Sequence, residues 1–514
     1  MRAGKIGVAL VIGAAAAAFA PAPVTAQVRP DTAHARHRAP APAPRDTIRA
    51  NRAPAPADSA RARRAAPPAD SAHAAHQHVP GMRMPAPADS TTRRRAGMHD
   101  AMSGPLHAGM HMDMLMRPIG GGWQLLGMAQ AFSMVTWAAP GDRESLVHDQ
   151  EGYITQPAVM VNVESPGARV VLRTTLNLEA LTQPGGEYTF GGWGEGFIDK
   201  RHPHTVLHEA MVSLNAWRVP GGVASLSAGK GFAAYGTDDP MSRPVAKYPT
   251  NHHLSQLLER WTVNGVWLPG PWSVEASVFG GGEPDGPWDL SNISSFGNSY
   301  SVRLGRRFGG VGTTAPWEIT ASAATVAEEH HGETERTALY NAAVRHSWPH
   351  SFGGIYALAE ASMSDPEEGE GVWSLVGETQ VRIGRHRPYY RVEYATRPEY
   401  ARQGAPGEPG FFRYDHDDEP IGATRWLIQS LGYEFDLSGG GVATRPFIEA
   451  QYNYARPERG GVEPEILYGS RGFWTISAGF RLFFGGGPMR MGSYGVLDDM
   501  TLMHHPIESP RTRP

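Results

Sequence analysis

The sequence predicts an all-β protein: a closed antiparallel transmembrane β-barrel of about sixteen strands, preceded by a disordered N-terminal arm. Glycine (61) and proline (43) make up about a fifth of the 514 residues, which argues against a helical bundle. Apolar and polar residues alternate with a period of two through most of the chain after residue 122. The alternating segments are joined by connections that are short and long in turn. The absence of cysteine excludes a disulfide scaffold, a thiolate metal site and a cysteine nucleophile.

Residues 1–26 have the pattern of a secretory signal. Arg2 and Lys5 precede a short apolar run over 6–20, and small residues at the end of the segment supply a cleavage site. A membrane anchor is the less favoured alternative, because the apolar run is short and Pro21 follows it. We therefore expect the mature chain to leave the cytoplasm.

Residues 27–97 are rich in alanine, proline, arginine and histidine and contain almost no large apolar side chains. Such a segment cannot bury enough surface to fold alone, so we predict a disordered, extended periplasmic arm. Between 27 and 117 there are 14 arginines and 7 aspartates but no lysine or glutamate, whereas the rest of the chain is acidic. Either the arm is a solvated spacer, or it contacts an anionic partner. Lipid phosphates or a cell-wall polymer fit a secreted location better than nucleic acid does.

Residues 98–121 form a segment rich in methionine and histidine. Thioether and imidazole ligands together favour copper. The candidate ligands are His107, Met110, His111, Met112, Met114 and Met116. The pattern resembles the Met/His-rich N-terminal segments of outer-membrane copper-resistance proteins. The alternative is an ordinary lead-in to the first strand.

Sixteen segments have the alternation and length of strands, and most are long enough to cross a bilayer when tilted, which takes roughly 9–11 residues. In 473–484, for example, Trp474, Ile476 and Phe480 belong to one continuous apolar stripe. Such a stripe needs hydrocarbon or a packed core against it. The predicted strands are 122–137, 153–164, 168–180, 204–218, 222–232, 255–268, 271–281, 298–309, 316–327, 335–347, 353–364, 371–384, 387–397, 423–436, 443–456 and 471–484.

The connections between these segments favour a barrel over a sandwich or propeller. Short turns at 165–167, 219–221, 269–270 and 385–386 alternate with long connections at 138–152, 181–203, 233–254, 282–297 and 398–422. Outer-membrane barrels have short periplasmic turns, longer external loops and an even number of strands. Aromatic residues beside the short turns suit a membrane interface. They are Trp217, Trp267, Trp272, Trp317, Trp348 and Tyr389.

Over 122–484 the chain therefore resembles the porin-like outer-membrane β-barrels. The resemblance implies outer-membrane lipid around the barrel, a polar lumen and passive passage of solutes. In that family the last strand commonly ends the chain at an aromatic residue. Phe484 matches this position, but the tail 485–514 follows it. The tail either plugs the lumen, joins the N-terminal Met/His segment at a metal site, or is disordered.

The strand register predicts which charged side chains line the lumen. They are Arg169, Arg173, Glu179, Glu378, Arg382, Arg391, Glu393, Arg445 and Glu449. We expect Glu378 and Arg382 to face Arg391 and Glu393 on the neighbouring strand. These charges either filter the solute or simply stabilise a wet interior, and their mixed signs argue against strict anion selectivity.

The function predicted is a channel for passive or gated passage of small polar solutes or ions, with copper handling as a second hypothesis. The alternative is a secreted or surface-bound β protein that binds a polymer or metal without forming a pore. Histidines and carboxylates in the long connections, such as His204, His252 and His253, are more simply explained as solvated loop residues. Enzyme activity is not expected, since the only pairing to test is His208 with Ser213 or Ser227. The sequence indicates no oligomeric state.

Overall fold

The computed structural model describes part of the chain. The described residues are 115–139, 150–182, 204–237, 239–240, 243–245, 247, 249–284, 286–308, 317–330, 333–350, 353–367, 371–400, 420–437, 442–484, 492, 494 and 495. The signal, the arm and the predicted copper ligands His107 to Met114 lie outside them, and the side chain of Met116 is also not described. The predictions for these segments therefore stay predictions.

The described chain is built almost entirely of strands. They are β1 Leu115–Gly120, β2 Trp123–Ala139, β3 Gln150–Glu164, β4 Val170–Asn177, β5 Leu207–Val219, β6 Gly222–Gly231, β7 Arg260–Leu268, β8 Trp272–Gly280, β9 Phe296–Phe308, β10 Trp317–His330, β11 Glu333–His350, β12 Gly353–Pro366, β13 Val372–Ile383, β14 His386–Tyr400, β15 Pro420–Phe435, β16 Val442–Arg459 and β17 Gly472–Phe484. Each of the sixteen predicted segments corresponds to one strand from β2 to β17. None of the helices among the described residues is long and apolar enough to cross a membrane.

Strands β2 to β17 close into a barrel. Each pairs antiparallel with the next along the chain, and β17 then pairs with β2, from Trp474 opposite Ala139 to Phe484 opposite Ala129. Closure leaves none of these sixteen strands as a free edge, which is how a sheet can satisfy its backbone groups inside lipid. The predicted closed antiparallel barrel of sixteen strands is confirmed.

Strand β1 is an addition that the sequence did not predict. It pairs with the first residues of β2, Leu115 opposite Gly127, just beyond the point where β17 ends opposite Ala129. β1 therefore continues the line of β17 along the same side of β2. The turn between β1 and β2 uses Gly121 and Gly122, both with positive φ.

The two ends of the barrel differ in their connections. At one end all the connections are short: 165–169, 220–221, 269–271, 309–316, 351–352, 384–385 and 436–441. The other end carries the long connections 140–149, 178–206, 232–259, 281–295, 401–419 and 460–471, but also the short 331–332 and 367–371. The predicted alternation of short and long thus holds at one end and fails at two places at the other. A five-residue helix, Pro464–Tyr468, lies in the last connection.

The outside of the barrel is apolar and its inside is polar. On β17, Trp474 is 55% exposed and Ile476 46%, whereas Thr475, Ser477 and Arg481 between and beyond them are buried. A continuous apolar exterior of this kind is stable in hydrocarbon and not in water, so the barrel spans a membrane.

The predicted ring of aromatic residues beside the short turns is present in part. Trp217, Trp267 and Trp272 are exposed on the outside next to those turns. Tyr389 was wrongly assigned to this ring: it is buried, and its hydroxyl donates to Glu449 at 2.9 Å inside the barrel.

Candidate functional site

The connection between β6 and β7, residues 232–259, folds into the barrel and is here called the inner loop. Of its described residues, all except Thr237 and His253 are buried. Connections at a protein surface are normally solvated, because water satisfies their backbone groups. The inner loop instead bonds partly to itself, as in Ala233 N–H to the carbonyl oxygen of Leu257, and partly to the barrel wall at positions far away in sequence.

The first part of the inner loop is fixed to β8 and β10 by neutral hydrogen bonds, and Arg303 of β9 donates to the carbonyl oxygen of Tyr235 at 3.3 Å. The backbone N–H of Ala234 donates to Ser277 Oγ at 2.7 Å, and that of Gly236 donates to Ser322 Oγ at 2.9 Å. Gly236 has φ +66°, and a Cβ there would lie 1.6 Å from the carbonyl oxygen of Ser255. Only glycine therefore allows the loop to turn inward at this position.

The middle of the inner loop contacts β12 and β13 through a buried guanidinium. Arg243 lies 3.1 Å from Glu360 and 3.8 Å from Glu378, both near the middle of their strands. Glu360 also accepts hydrogen bonds from Thr237 at 2.7 Å and Asn251 at 3.2 Å. Burial alone would lower the pKa of Arg243, but the two carboxylates outweigh it and raise that pKa above its usual range. Arg243 is therefore a permanent cation inside the barrel.

The loop then reaches β14, β16 and β17 on the far side. Lys247 Nζ lies 2.6 Å from Glu449 and 3.1 Å from Ser477 Oγ. The backbone N–H of Thr250 donates to Glu393 at 2.5 Å, and Arg481 donates to the carbonyl oxygen of Pro244 at 2.9 Å. The inner loop thus crosses the interior from β8–β10 to β14–β17.

The predicted lumen residues fall into two groups. Arg169 lies in the exposed turn before β4, because that strand is shorter than predicted. Arg173 is half-buried, and its guanidinium lies 5.5 Å from the centre of the Tyr494 ring inside the barrel. The others are buried inside the barrel: Glu179, Glu378, Arg382, Arg391, Glu393, Arg445 and Glu449. Their role in passing a solute stays a prediction.

One of the two expected pairs across β13 and β14 is formed. Arg391 donates to Glu378 at 2.8 Å, as the alternation predicted. The predicted pairing of Arg382 with Glu393 is wrong, because the register places Glu393 opposite Val376, six residues away from Arg382. At about 3.4 Å per residue this separates the two side chains by roughly 20 Å. Arg382 donates instead to the carbonyl oxygen of Gly353 at 3.2 Å.

Several charged residues of the wall were not predicted from the sequence. Arg387 pairs with Asp436 at 2.6 Å, and Arg481 pairs with Glu434 at 3.0 Å. The guanidinium of Arg481 also lies 4.9 Å from the centre of the Phe132 ring. Arg481 lies on the face of β17 opposite the apolar stripe, so the alternation that predicted the strand would also have predicted its inward position.

The described residues of the tail lie inside the barrel, beside the inner loop. The hydroxyl of Tyr494 donates to Glu209 and accepts the backbone N–H of Phe232 at 3.2 Å. The carbonyl oxygen of Gly492 accepts from Arg303 at 2.8 Å. Of the three alternatives for the tail, this placement favours the one in which it fills part of the lumen.

Histidines and carboxylates meet where the inner loop returns to the wall. His204 Nδ1 lies 2.9 Å from Glu179, and His208 Nδ1 lies 2.8 Å from Glu259. Burial alone would raise the pKa of Glu259, but the hydrogen bond from His208 and the charges of His204 and Lys230 lower it to about 2. His208 therefore bonds a carboxylate, while Ser227 donates to Ser213 at 2.8 Å, so the contacts of the described residues do not form the suggested histidine–serine pair.

Comparison with known proteins gives distant structural similarities only. No protein-family model matches the sequence, and no curated protein matches it. An outer-membrane protein of Vibrio cholerae, OmpT, is 10% identical with a TM-score of 0.40 over 72% of this chain and all of its own. The outer-membrane channel DcaP of Acinetobacter baumannii is 7% identical with a TM-score of 0.43, over 72% of this chain and 99% of its own. An anion-selective porin from Comamonas acidovorans is 10% identical with a TM-score of 0.40, over 70% of this chain and 99% of its own. Similarities this weak assign no role to any residue here.

Proposed function

We propose that this chain is an outer-membrane channel for passive passage of small polar solutes or ions, with the inner loop forming its constriction. The observation that carries the proposal is the loop itself, fixed across the interior by Arg243 and Lys247. A closed barrel with an apolar outside and a polar inside supports the membrane location. It also argues against the alternative of a soluble polymer-binding β protein, which would have no use for an apolar exterior.

The mechanism follows from the size and charge of the narrowed interior. Polar groups along the path replace part of the solute's hydration shell, while the space left beside the inner loop limits its size. The wall near the loop carries carboxylates such as Glu360 and Glu393, and farther along it the cations Arg387 and Arg445. Since both signs line the interior, the channel is not strictly selective for anions. Gated passage would require the inner loop to leave the wall.

The proposal is tested by single-channel recording of the full-length protein in planar bilayers. Folding is first checked by the change of gel mobility on heating that folded barrels show. Discrete conductance steps are then expected from the folded protein. If folded protein gives no conductance steps at any voltage, the chain is a structural barrel and not a channel. The chain has no cysteine, so single cysteines introduced at interior positions can report blocking by thiol reagents without background.

The N-terminal arm is proposed to lie in the periplasm. β1 and the end of β17 both lie toward the barrel end with the short connections, which in outer-membrane barrels faces the periplasm. Contact of the arm with lipid phosphates or a cell-wall polymer stays a prediction. Such contact would appear as salt-sensitive co-sedimentation of the protein with lipid vesicles or cell-wall polymer, and this co-sedimentation would be lost when residues 27–97 are deleted.

Copper binding by the Met/His segment also stays a prediction from the sequence. A peptide spanning 98–116 should bind Cu(I) in a calorimetric titration. A matched peptide with its methionines replaced by leucine should not bind, because leucine removes the thioether ligands.

A further inference from the structure

We propose that His204, His252 and His253 bind one divalent first-row transition-metal ion where the inner loop meets the barrel wall. One ring nitrogen from each residue lies within 4.8 Å of the other two. The ring centres of His252 and His253 are 5.0 Å apart, and those of His204 and His252 are 5.9 Å apart. In a tetrahedral site with metal–nitrogen bonds of about 2.1 Å the nitrogens would be about 3.4 Å apart, so modest side-chain rotations suffice.

The backbone holds these histidines on two segments that are each fixed locally. His252 and His253 enter the short 3₁₀ turn His253–Ser255, which is closed by the hydrogen bond from the N–H of Ser255 to the carbonyl oxygen of Asn251 at 2.8 Å. His204 precedes β5, and the N–H of the next residue, Thr205, donates to Glu259 at 2.7 Å. His204 and His252 are each 1% exposed. An ion held here would be shielded from competing water.

A carboxylate behind the His204 ring orients it as a metal site requires. Glu179 lies 2.9 Å from Nδ1 of His204, which keeps the proton on that nitrogen and directs Nε2 toward the ion. Asp239 lies 3.8 Å from Nε2 of His252, beyond hydrogen-bond distance. A histidine that binds metal through one nitrogen commonly donates its other N–H to a carboxylate. The cluster has this arrangement at His204.

A fourth imidazole lies beside the cluster. The ring centre of His208 is 5.3 Å from that of His204, and its Nδ1 is taken by Glu259. Its Nε2 is buried and makes no hydrogen bond within the described part of the chain. This nitrogen offers the fourth ligand, or a hydrogen-bond acceptor for a water on the ion.

The ligand set decides the class of ion. Three neutral imidazoles suit Zn²⁺, Cu²⁺ and Ni²⁺, whereas Mg²⁺ and Ca²⁺ require oxygen ligands. Because His204 belongs to the connection that precedes β5 and the other two belong to the inner loop, a bound ion would link these two connections. The site is distinct from the Met/His segment, which has thioethers.

The test is zinc binding to the full-length protein in detergent, measured by equilibrium dialysis and elemental analysis. Wild-type protein should retain one more Zn²⁺ per chain than the His204→Ala variant. The matched control is His386→Ala, which removes an exposed histidine bonded to Tyr433 outside the cluster and should bind as wild type does. Comparing full-length variants cancels zinc bound elsewhere in the chain, and excess Mg²⁺ should displace none of it.

A second variant separates metal binding from folding. Glu179→Gln keeps all three ligands and removes the carboxylate behind His204, so zinc affinity should fall by about 10–100-fold. Substitution of Co²⁺ should give a visible absorption band in wild type and in His386→Ala but not in His204→Ala. Equal zinc content and affinity in folded wild type, Glu179→Gln and His253→Ala would overturn the proposal. These measurements do not depend on conductance, so the metal-site proposal and the channel proposal can be disproved independently.

Discussion

The inner loop contacts two sides of the barrel in different ways. On β8 and β10 its backbone N–H groups donate neutral hydrogen bonds, such as Ala234 N–H to Ser277. On β12 to β17 it relies on buried charges, Arg243 with Glu360 and Lys247 with Glu449. A neutral hydrogen bond contributes about 0.5–1.5 kcal/mol, whereas breaking a buried ion pair costs about 3–5 kcal/mol because one charge is left alone. The neutral side therefore positions the loop, and the charged side determines whether it stays across the lumen.

The largest effect is expected from Arg243→Ala. The change leaves Glu360 and Glu378 buried without this cation, and should lower the free energy of unfolding in urea by about 3–5 kcal/mol. The control is Arg471→Ala, which removes an arginine that is also paired with a glutamate, at 3.2 Å, but at the surface. No measurable change in the free energy of unfolding is expected for the control. Equal losses of stability in the two variants would contradict the difference between the buried and the surface ion pair.

An intermediate effect is expected from Lys247→Met. Methionine keeps the length of the side chain but removes its charge from Glu449, which retains the hydroxyl of Tyr389 at 2.9 Å. The loss should be about 3 kcal/mol, at the lower end of the cost of breaking a buried ion pair, because one carboxylate loses its cation instead of two. Removing a lumen cation should also shift the reversal potential under a salt gradient toward cation preference. An unchanged reversal potential would mean that Lys247 does not face the conducting path.

The smallest effect is expected from Ser277→Ala on the neutral side. It removes the acceptor of the Ala234 N–H and should cost about 1 kcal/mol without changing the conductance. Ser301→Ala is the matched control, since the buried hydroxyl of Ser301 has no hydrogen-bond partner in the described part of the chain. If Ser277→Ala lowered the free energy of unfolding as much as Arg243→Ala, the neutral and charged contacts of the loop would not differ in strength.

The sequence predicted the strands well because each carries its own pattern. Alternation over about ten residues, as in Trp474, Ile476 and Phe480, is enough to assign a strand and its lipid face. Strand β1 was missed because its six residues contain Pro118 and show no alternation. The pair Glu378–Arg391 could be predicted because a tight turn fixes the register of its two strands.

The inner loop could not be predicted in the same way. Nothing in the residues around Arg243 or Lys247 distinguishes them from a solvated external loop. Their partners lie far along the chain, 117 residues away for Glu360. Whether such charges are paired inside the barrel or solvated outside it depends on the closure of the barrel, which brings distant strands to face each other. The histidine cluster has the same origin, since His204 and His252 come from different connections.

The proposed channel depends most on the inner loop lying across the lumen. The direct measurement is the single-channel conductance of Arg243→Ala combined with Lys247→Ala, compared with wild type and with Arg471→Ala. Larger conductance steps are expected in the double variant, because the loop loses its charged contacts with the far wall, and unchanged steps are expected in Arg471→Ala. A folded double variant with the same steps as wild type would show that the inner loop does not form the constriction.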